Sequence, residues 1–582
     1  MKFPPVLVFI LAIASASAQE VWHGCFDAGA SEARALAVSQ GDETPDGAVR
    51  FRLPPQGLAL DAVAPGKWAP SAPALLWTEF ENDVEETLCI GISADWWFTA
   101  FANGEKIGTT EPGGNDSGRF VPSGHLYSIA LKKGVNRIAV RMRRGSAGSR
   151  FAFAVVPRKE DVPESIAGVS FDDFYVGEGV GGAQEPVRWV TDVAPRSAEV
   201  DVRFERPMAA GIRWRKVADG AAAGWNGEMW TMMFGQKDRV KLHRFNLDAL
   251  VPATEYEYEI IRLDEAKAAT ETVASGRFTT FSETFKPFSF WATSDLQVSQ
   301  EMRSRAVRDM ILAHPEFKKA AFYATLGDVD SAMNDVPGIY LDSVLDVARK
   351  HGADLPVVTV RGNHEYRGKD SGDFGRLFGR PYGSFLCNGV FFIALDTGED
   401  KPIVSAPSHY TLRTDTEAYM DQQAEWLREV VASEACRRAT RRIVLAHATP
   451  FEFENPYYHR NIKRICGDLF YGESPACPID LWLCGDIHTS YCYDPVSRSL
   501  RASPGRSRAM ALTAVDAADI RFPVYVNDGP GWGGENLSCV DVNISEDSIA
   551  VTCSTPEGRV LDRTVFRKGA PAEIQETTFQ SL

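Results

Sequence analysis

Five apolar runs in the last half of the sequence each stop at residues able to bind a metal ion. "FSFWAT" runs into Asp295 and Gln297, "AAFYATLG" into Asp328, and "PVVTVRG" into Asn363, His364 and Glu365. "RIVLA" reaches His447, and "LWLCG" reaches Asp486 and His488. One Asp-x-His pair after an apolar run is ordinarily a hydrogen-bonded loop. Five such endings in one segment point to a shared site instead, because carboxylate, carboxamide and imidazole groups together make ligand sets for divalent or trivalent ions. The chemistry such a set supports is metal-assisted hydrolysis.

Elements must bring these endings together. From about residue 286 the apolar runs alternate with amphipathic stretches, "QEMRSRAVRDMILAH", "YLDSVLDVARKHG" and "QQAEWLREVVAS". That alternation predicts strands and helices of an α/β domain. In such sheets functional residues gather beyond the carboxyl ends of the strands, which is where all five runs place theirs.

The rest of the chain reads differently. Its 582 residues exceed what one core supports, and three or four domains are expected. A net charge of −16 argues against a nucleic-acid partner. Lys2, the apolar stretch Phe3 to Ile13 and Ala16-Ser17-Ala18 read as a signal peptide over residues 1–18. Cleavage near Ala18 would leave a secreted or periplasmic protein, and no later apolar run is long enough to span a bilayer. Residues 19–160 alternate apolar and polar positions in short runs, with a tight turn at Asn103-Gly104, and predict a β-sandwich. Trp96 and Trp97 there suit core packing, or stacking on a sugar. "RKEDVPESIAG", 158 to 168, is a linker, and residues 165–282 form a second all-β segment. "GEGVGG" at 177–182 spells a dinucleotide fingerprint, but Pro186 and a strand follow it where a helix is required. Of ten cysteines, Cys25 and Cys89 are the pair open to the first domain. Cys539 and Cys553 lie on adjacent strand-like runs, so both pairs are expected as disulfides.

Three resemblances add to this reading. "WWFTAFANGEKIG" and "LKKGVNRIAVRMRRG" resemble galactose-binding-like jelly rolls, which implies either a glycan-binding module or a spacer. "HRFNLDALVPATEYEYEI" resembles a fibronectin type III corner, a domain found ahead of the catalytic domain in purple-acid-phosphatase-like proteins. "SDLQ", "LGDVD", "RGNHE", "VLAHATP" and "CGDIH" resemble, in order and spacing, the motifs of the calcineurin-like metallophosphoesterase superfamily. "FGRPYGSFLCNGVFFIALDT" is similar to its purple-acid-phosphatase-like branch.

The last resemblance implies a four-layer αββα domain over 286–570 that hydrolyses phosphate mono- or diesters through two metal ions and a bridging hydroxide. Asp295, Gln297, Asp328 and His488 would hold the first ion; Asp328, Asn363, His447 and Asp486 would hold the second. His364 would stabilise the transition state or protonate the leaving group, with Asp330, Asn334 and Glu365 in support. Two positions depart from the family pattern. Ser331 replaces the Tyr of purple phosphatases, so no ferric–tyrosinate colour is expected. Asp486 replaces a His, which favours hard ions at the second site, among manganese, iron, zinc and magnesium. The alternative is a glycan- or surface-binding protein with a degenerate, weakly active or inactive phosphoesterase domain.

Overall fold

The structure is a computed structural model. It describes the chain apart from residues 1–20, 28, 55–56, 66–72, 95–96, 112–124, 144–149, 157–185, 221, 223, 265–268, 353, 369, 401–415, 452–455, 505–518, 528, 530–536 and 582. The expected signal peptide, the expected linker at 158–168, the Gly-rich 177–182 stretch and Trp96 therefore lie outside the described residues.

The strands of the last segment are apolar at successive positions because both of their faces are covered. In Phe288–Thr293, Phe290 and Ala292 enter the core between two sheets, whereas Trp291 faces the helical side. Arg441–Ala446 and Leu481–Cys484 repeat the pattern: Ile443, Leu445, Leu481 and Leu483 point to the same inter-sheet core, and Val444, Trp482 and Cys484 point outward. Phe290, Phe322 and Phe392 meet at the centre, with ring centroids 4.7 to 5.3 Å apart.

In the first sheet, Phe288–Thr293, Tyr323–Thr325 and Pro356–Thr359 run parallel. In the second, Val390–Leu395, Arg441–Ala446, Leu481–Cys484 and Val524–Val526 run parallel. Helix Gln300–Ala313, capped by the Ser299 hydroxyl, covers the first sheet. Thr416–Ala432 and Pro456–Cys466 cover the second. The layers are thus helix, sheet, sheet, helix. Glu573–Thr577 and Gln580–Ser581 extend the two sheets beyond residue 570.

The preceding β segment is not separate in its hydrogen bonding. Its strand Val187–Thr191 pairs parallel with Pro356–Thr359, so one sheet runs through both segments.

The N-terminal segment packs a six-stranded sheet against a four-stranded one. Trp97 is buried in it beneath the Arg143 guanidinium, as core packing requires. At the turn Asn103 and Gly104 take φ of 49° and 89°, the left-handed pair a tight hairpin needs. A helix, Glu32–Gln40, lies on the outer face of the larger sheet.

The structure forms neither expected disulfide. Cys25 is a free thiol packed beneath that helix with Leu75 and Trp77. Cys89 belongs to a strand of the other sheet, and its side chain is outside the description. Cys539 pairs with Ser554 and Cys553 with Val540, a register one residue off. The two thiols therefore enter different cores on opposite faces of the sheet and remain free.

Candidate metal centre

The carboxyl ends of both sheets meet at one edge. Asp295, Asp328 and Asn363 arrive from the first sheet, and His447, Asp486 and His488 from the second. Oxygens of Asp295 and Asp328 and a nitrogen of His447 lie within 4.8 Å of one another, all three residues buried. Nε2 of His447 is 3.3 Å from Asp328 Oδ1 and 3.5 Å from Asp486 Oδ1. Nε2 of His488 is 3.4 Å from Asp295 Oδ1. The Asp486 amide donates to Asp295 Oδ2 at 2.9 Å, and Gln297 Nε2 donates to Asp328 Oδ2 at 2.8 Å.

The backbone is bent to achieve this. Asp295, Asp328, Asp486 and His488 have φ of 54°, 53°, 81° and 54°. They are four of the eleven non-glycine residues with positive φ among the described residues. Each such conformation costs about 1–3 kcal/mol and persists where surrounding structure enforces it. Two glycines give the strand ends room. A Cβ on Gly362 would stand 2.3 Å from Asp328 Oδ1, and one on Gly529 would stand 2.1 Å from Asp295 Cβ.

Supporting hydrogen bonds orient the candidate ligands. Glu365 accepts from the amides of Asp328, Val329 and Gly362 at 2.9, 3.0 and 2.8 Å, and from the Tyr340 hydroxyl. The Leu326 carbonyl accepts from His447 Nδ1 at 2.7 Å, which turns Nε2 toward the carboxylates. Asn363 Oδ1 stands 3.1 Å from that Nε2, with the Asp328 carboxylate beside it, while its amide nitrogen faces Arg367. Turning the amide over would satisfy its neighbours by hydrogen bonds; the orientation shown suits a cation shared with Asp328 and His447. Asp295 Oδ1 is buried and receives no hydrogen bond. These donors fit hard or borderline divalent ions.

Electrostatics follow from the crowding. Burial alone would raise Asp328, yet His447 and His364 hold its carboxyl well below the usual range. Burial would lower both ligand-candidate histidines, but Asp328 pushes His447 well up and Asp295 pushes His488 up to about 9. In each case a proton takes the cationic place beside a carboxylate.

His364 behaves in the opposite way. Burial and then the Arg367 guanidinium pull it down to about 4. Its Nδ1 donates to the Ser331 carbonyl at 2.7 Å, and its Nε2 lies 3.6 Å from Asp328 Oδ2. Asp330 instead accepts from Arg303 Nη2 at 3.3 Å, and Asn334 is buried against the turn at Gly368.

Three contributors carry no motif signal. Arg303, buried, donates to the Leu296 and Val329 carbonyls at 3.2 and 2.8 Å, tying together the loops after Asp295 and Asp328. Arg367 lies against His364 and pairs with Glu399 and Asp400 at 2.9 and 3.0 Å. The Tyr458 hydroxyl donates to Asp486 Oδ1 at 3.3 Å. Only Arg367 sits beside a recognisable motif, three residues after His364.

Two facing sheets with acids and histidines at their shared edge define a metal-dependent phosphoester hydrolase. Residues 288–490 match the family model described as calcineurin-like phosphoesterase. Among solved structures the chain is similar to PhoD, at 11% identity over 69% of this chain and 94% of that one, TM-score 0.46. It is also similar to a purple acid phosphatase from yellow lupin (Lupinus luteus) seeds, at 12% identity over 86% and 93%, TM-score 0.44. A predicted phosphoesterase from Streptococcus pneumoniae matches at 9% identity over 49% and 100%, TM-score 0.22. No curated protein matches the sequence.

Proposed function

We propose that this is an exported phosphoesterase that uses two metal ions to hydrolyse phosphate mono- or diesters. The observation that carries the reading is the meeting of Asp295, Asp328, Asn363, His447, Asp486 and His488 at one edge of both sheets. Asp295, Gln297, Asp328 and His488 would hold one ion, and Asp328, Asn363, His447 and Asp486 the other. When bound, the ions supply Lewis acidity for activating water and for neutralising charge on the phosphoryl oxygens.

The chain's own residues do the rest. Glu365 and the amides it gathers hold Asp328 in its bent conformation, and Leu326 fixes the ring of His447. Neutral His364 has its Nδ1 proton committed to Ser331, and its Nε2, 3.6 Å from Asp328 Oδ2, accepts from Arg367 Nη1 at 2.6 Å. An anionic phosphate arriving there favours the protonated ring, the form that donates to a leaving-group oxygen. Arg367 contributes a permanent positive charge beside it.

Lys2, the apolar stretch after it and Ala16-Ser17-Ala18 support export. We further assign the N-terminal sandwich to the galactose-binding-like group and the following segment to the fibronectin type III-like group. A glycan-binding role in the first would have to use residues other than buried Trp97.

Metal analysis of the purified chain, alongside hydrolysis of aryl phosphate mono- and diesters, tests the reading. Two ions per chain and turnover of at least one ester are expected, both sharply reduced in Asp328→Asn. An Asp328→Asn protein with full metal content and wild-type turnover would overturn the assignment.

A further inference from the structure

The segment after Trp230 holds a feature that the hydrolytic site does not use. Met232–Met233 and Gln236–Lys237 form a small ribbon whose strands pair only with each other among the described residues. Its turn is Phe234-Gly235, with φ of 48° and 84°. Phe234 is 98% exposed, and Met232 and Met233 are 52% and 53% exposed. Single exposed apolar side chains are ordinary on protein surfaces. Three in succession on a projecting turn are not, particularly when a Phe takes up a left-handed conformation to stand at the tip.

The arrangement also says what kind of surface would cover it. Successive strand residues face opposite sides, so Met232 and Met233 present apolar surface on both faces of the ribbon. A protein groove or a second copy of the chain would cover one face; a lipid interface surrounds a projecting tip on every side. Cations flank it. Lys237 lies opposite Met232 with its ammonium 3.4 Å from the Trp230 ring centroid, and Arg239 is exposed two residues further on. Of the nearby carboxylates, Glu228 accepts from the Trp230 indole at 2.9 Å, and Asp238 is half-buried. In a chain of net charge −16, Lys237 and Arg239 bring two positive charges to the base of the tip, where they can meet an anionic surface.

We propose that this hairpin docks the protein on an anionic phospholipid bilayer. Phe234, Met232 and Met233 enter the boundary between headgroups and acyl chains, while Lys237 and Arg239 meet lipid phosphates and Trp230 sits at headgroup level. This is peripheral attachment. Among the described residues no helix is long and apolar enough to cross a membrane.

The test is co-sedimentation of the full chain with vesicles of phosphatidylcholine, with and without phosphatidylglycerol. Wild type is expected to bind the mixed vesicles. Met232→Ser/Phe234→Ser should lower the partition coefficient by roughly tenfold or more, with hydrolysis of a soluble aryl phosphate unchanged. Lys237→Gln/Arg239→Gln should remove the preference for phosphatidylglycerol. Wild type that stays in the supernatant with both vesicles overturns the proposal, as does a Met232→Ser/Phe234→Ser protein that binds like wild type. Wild type that instead forms a dimer in sedimentation velocity, broken by the same double substitution, also overturns it and makes the tip a self-association surface.

Discussion

The Asp486 carboxylate stands 3.5 Å from Nε2 of His447. It is held there from two directions. Its amide donates to Asp295, and its carboxylate accepts from the Tyr458 hydroxyl. Burial raises its pKa, and the hydrogen bond to His447 opposes that rise. A carboxylate here adds negative charge to the second candidate site, which favours manganese or magnesium over zinc. Asp486→His is therefore expected to shift preference toward zinc, read as a change in the ratio of zinc to manganese affinities. Asp486→Ala should lose one of two ions and most activity. An Ala variant that keeps both ions and wild-type turnover would make Asp486 a loop residue only.

Glu365 gives a separate prediction, because it serves the site without facing the substrate. Three buried amides and the Tyr340 hydroxyl converge on one carboxylate. Glu365→Ala leaves those amides without an acceptor, at roughly 1–3 kcal/mol for each donor that water cannot reach. Glu365→Gln keeps one acceptor oxygen and should fall between Ala and wild type. Urea midpoints and metal content are expected to decline in the order Glu, Gln, Ala. Equal midpoints for all three would show that the loop at Asp328 is held by something else.

What could be read ahead of the structure, and what could not, divides along sequence separation. The strand ends were legible because an apolar run and the candidate ligand after it are adjacent in the chain. The hairpin at Asn103-Gly104 was legible for the same reason. Helix Glu32–Gln40 left only local cues, the Ser31 cap and Gly41 with φ of 87°, inside a segment that otherwise reads as strands. Arg303 and Tyr458 escaped notice because their partners are brought to them by folding, as with Arg303 and the Val329 carbonyl. The pairing of Val187–Thr191 with Pro356–Thr359 joins two segments far apart in sequence, and no local pattern marks it. The disulfide expectation failed through register. Even numbers of cysteines on neighbouring strands say nothing about a one-residue offset, and that offset places Cys539 and Cys553 on opposite faces.

A different pair is placed for oxidation. Sγ of Cys436 lies 3.9 Å from Sγ of Cys477, both buried in the core beneath the second sheet. The hydrogen bond from Cys477, assisted by Arg442, brings Cys436 down to about 7, which favours the thiolate that begins thiol–disulfide exchange. In an oxidising compartment we expect these two sulfurs to be linked, with two protons lost and two electrons passed to a disulfide oxidant. Cys25, Cys539 and Cys553 should stay reduced. A closed loop of this length stabilises the fold by about 4 kcal/mol at most. Peptide mapping after alkylation without reduction decides it: carbamidomethyl groups on both Cys436 and Cys477 would reject the bridge.

The raised histidines predict how acidity and metal compete. Asp295 holds His488 up at about 9, and Asp328 raises His447 well above its ordinary value. For a group whose folded pKa is raised, the stabilisation is complete below the unfolded value near 6.5 and disappears as pH climbs through the folded value. The chelator-treated protein should therefore lose stability between about pH 6.5 and 9, by roughly 3 kcal/mol for His488. Metal loading should flatten that decline, because the ion takes over the cationic position after the proton has left. The same exchange requires proton release when metal binds. Titration calorimetry at neutral pH in two buffers of different ionisation enthalpy should give heats that differ in proportion to the protons released. Apparent affinity should weaken as pH falls, by about tenfold per unit for each proton displaced. Heats that are identical in the two buffers would mean that metal displaces no protons from His447 and His488, and that neither ring is protonated at neutral pH in the chelator-treated protein.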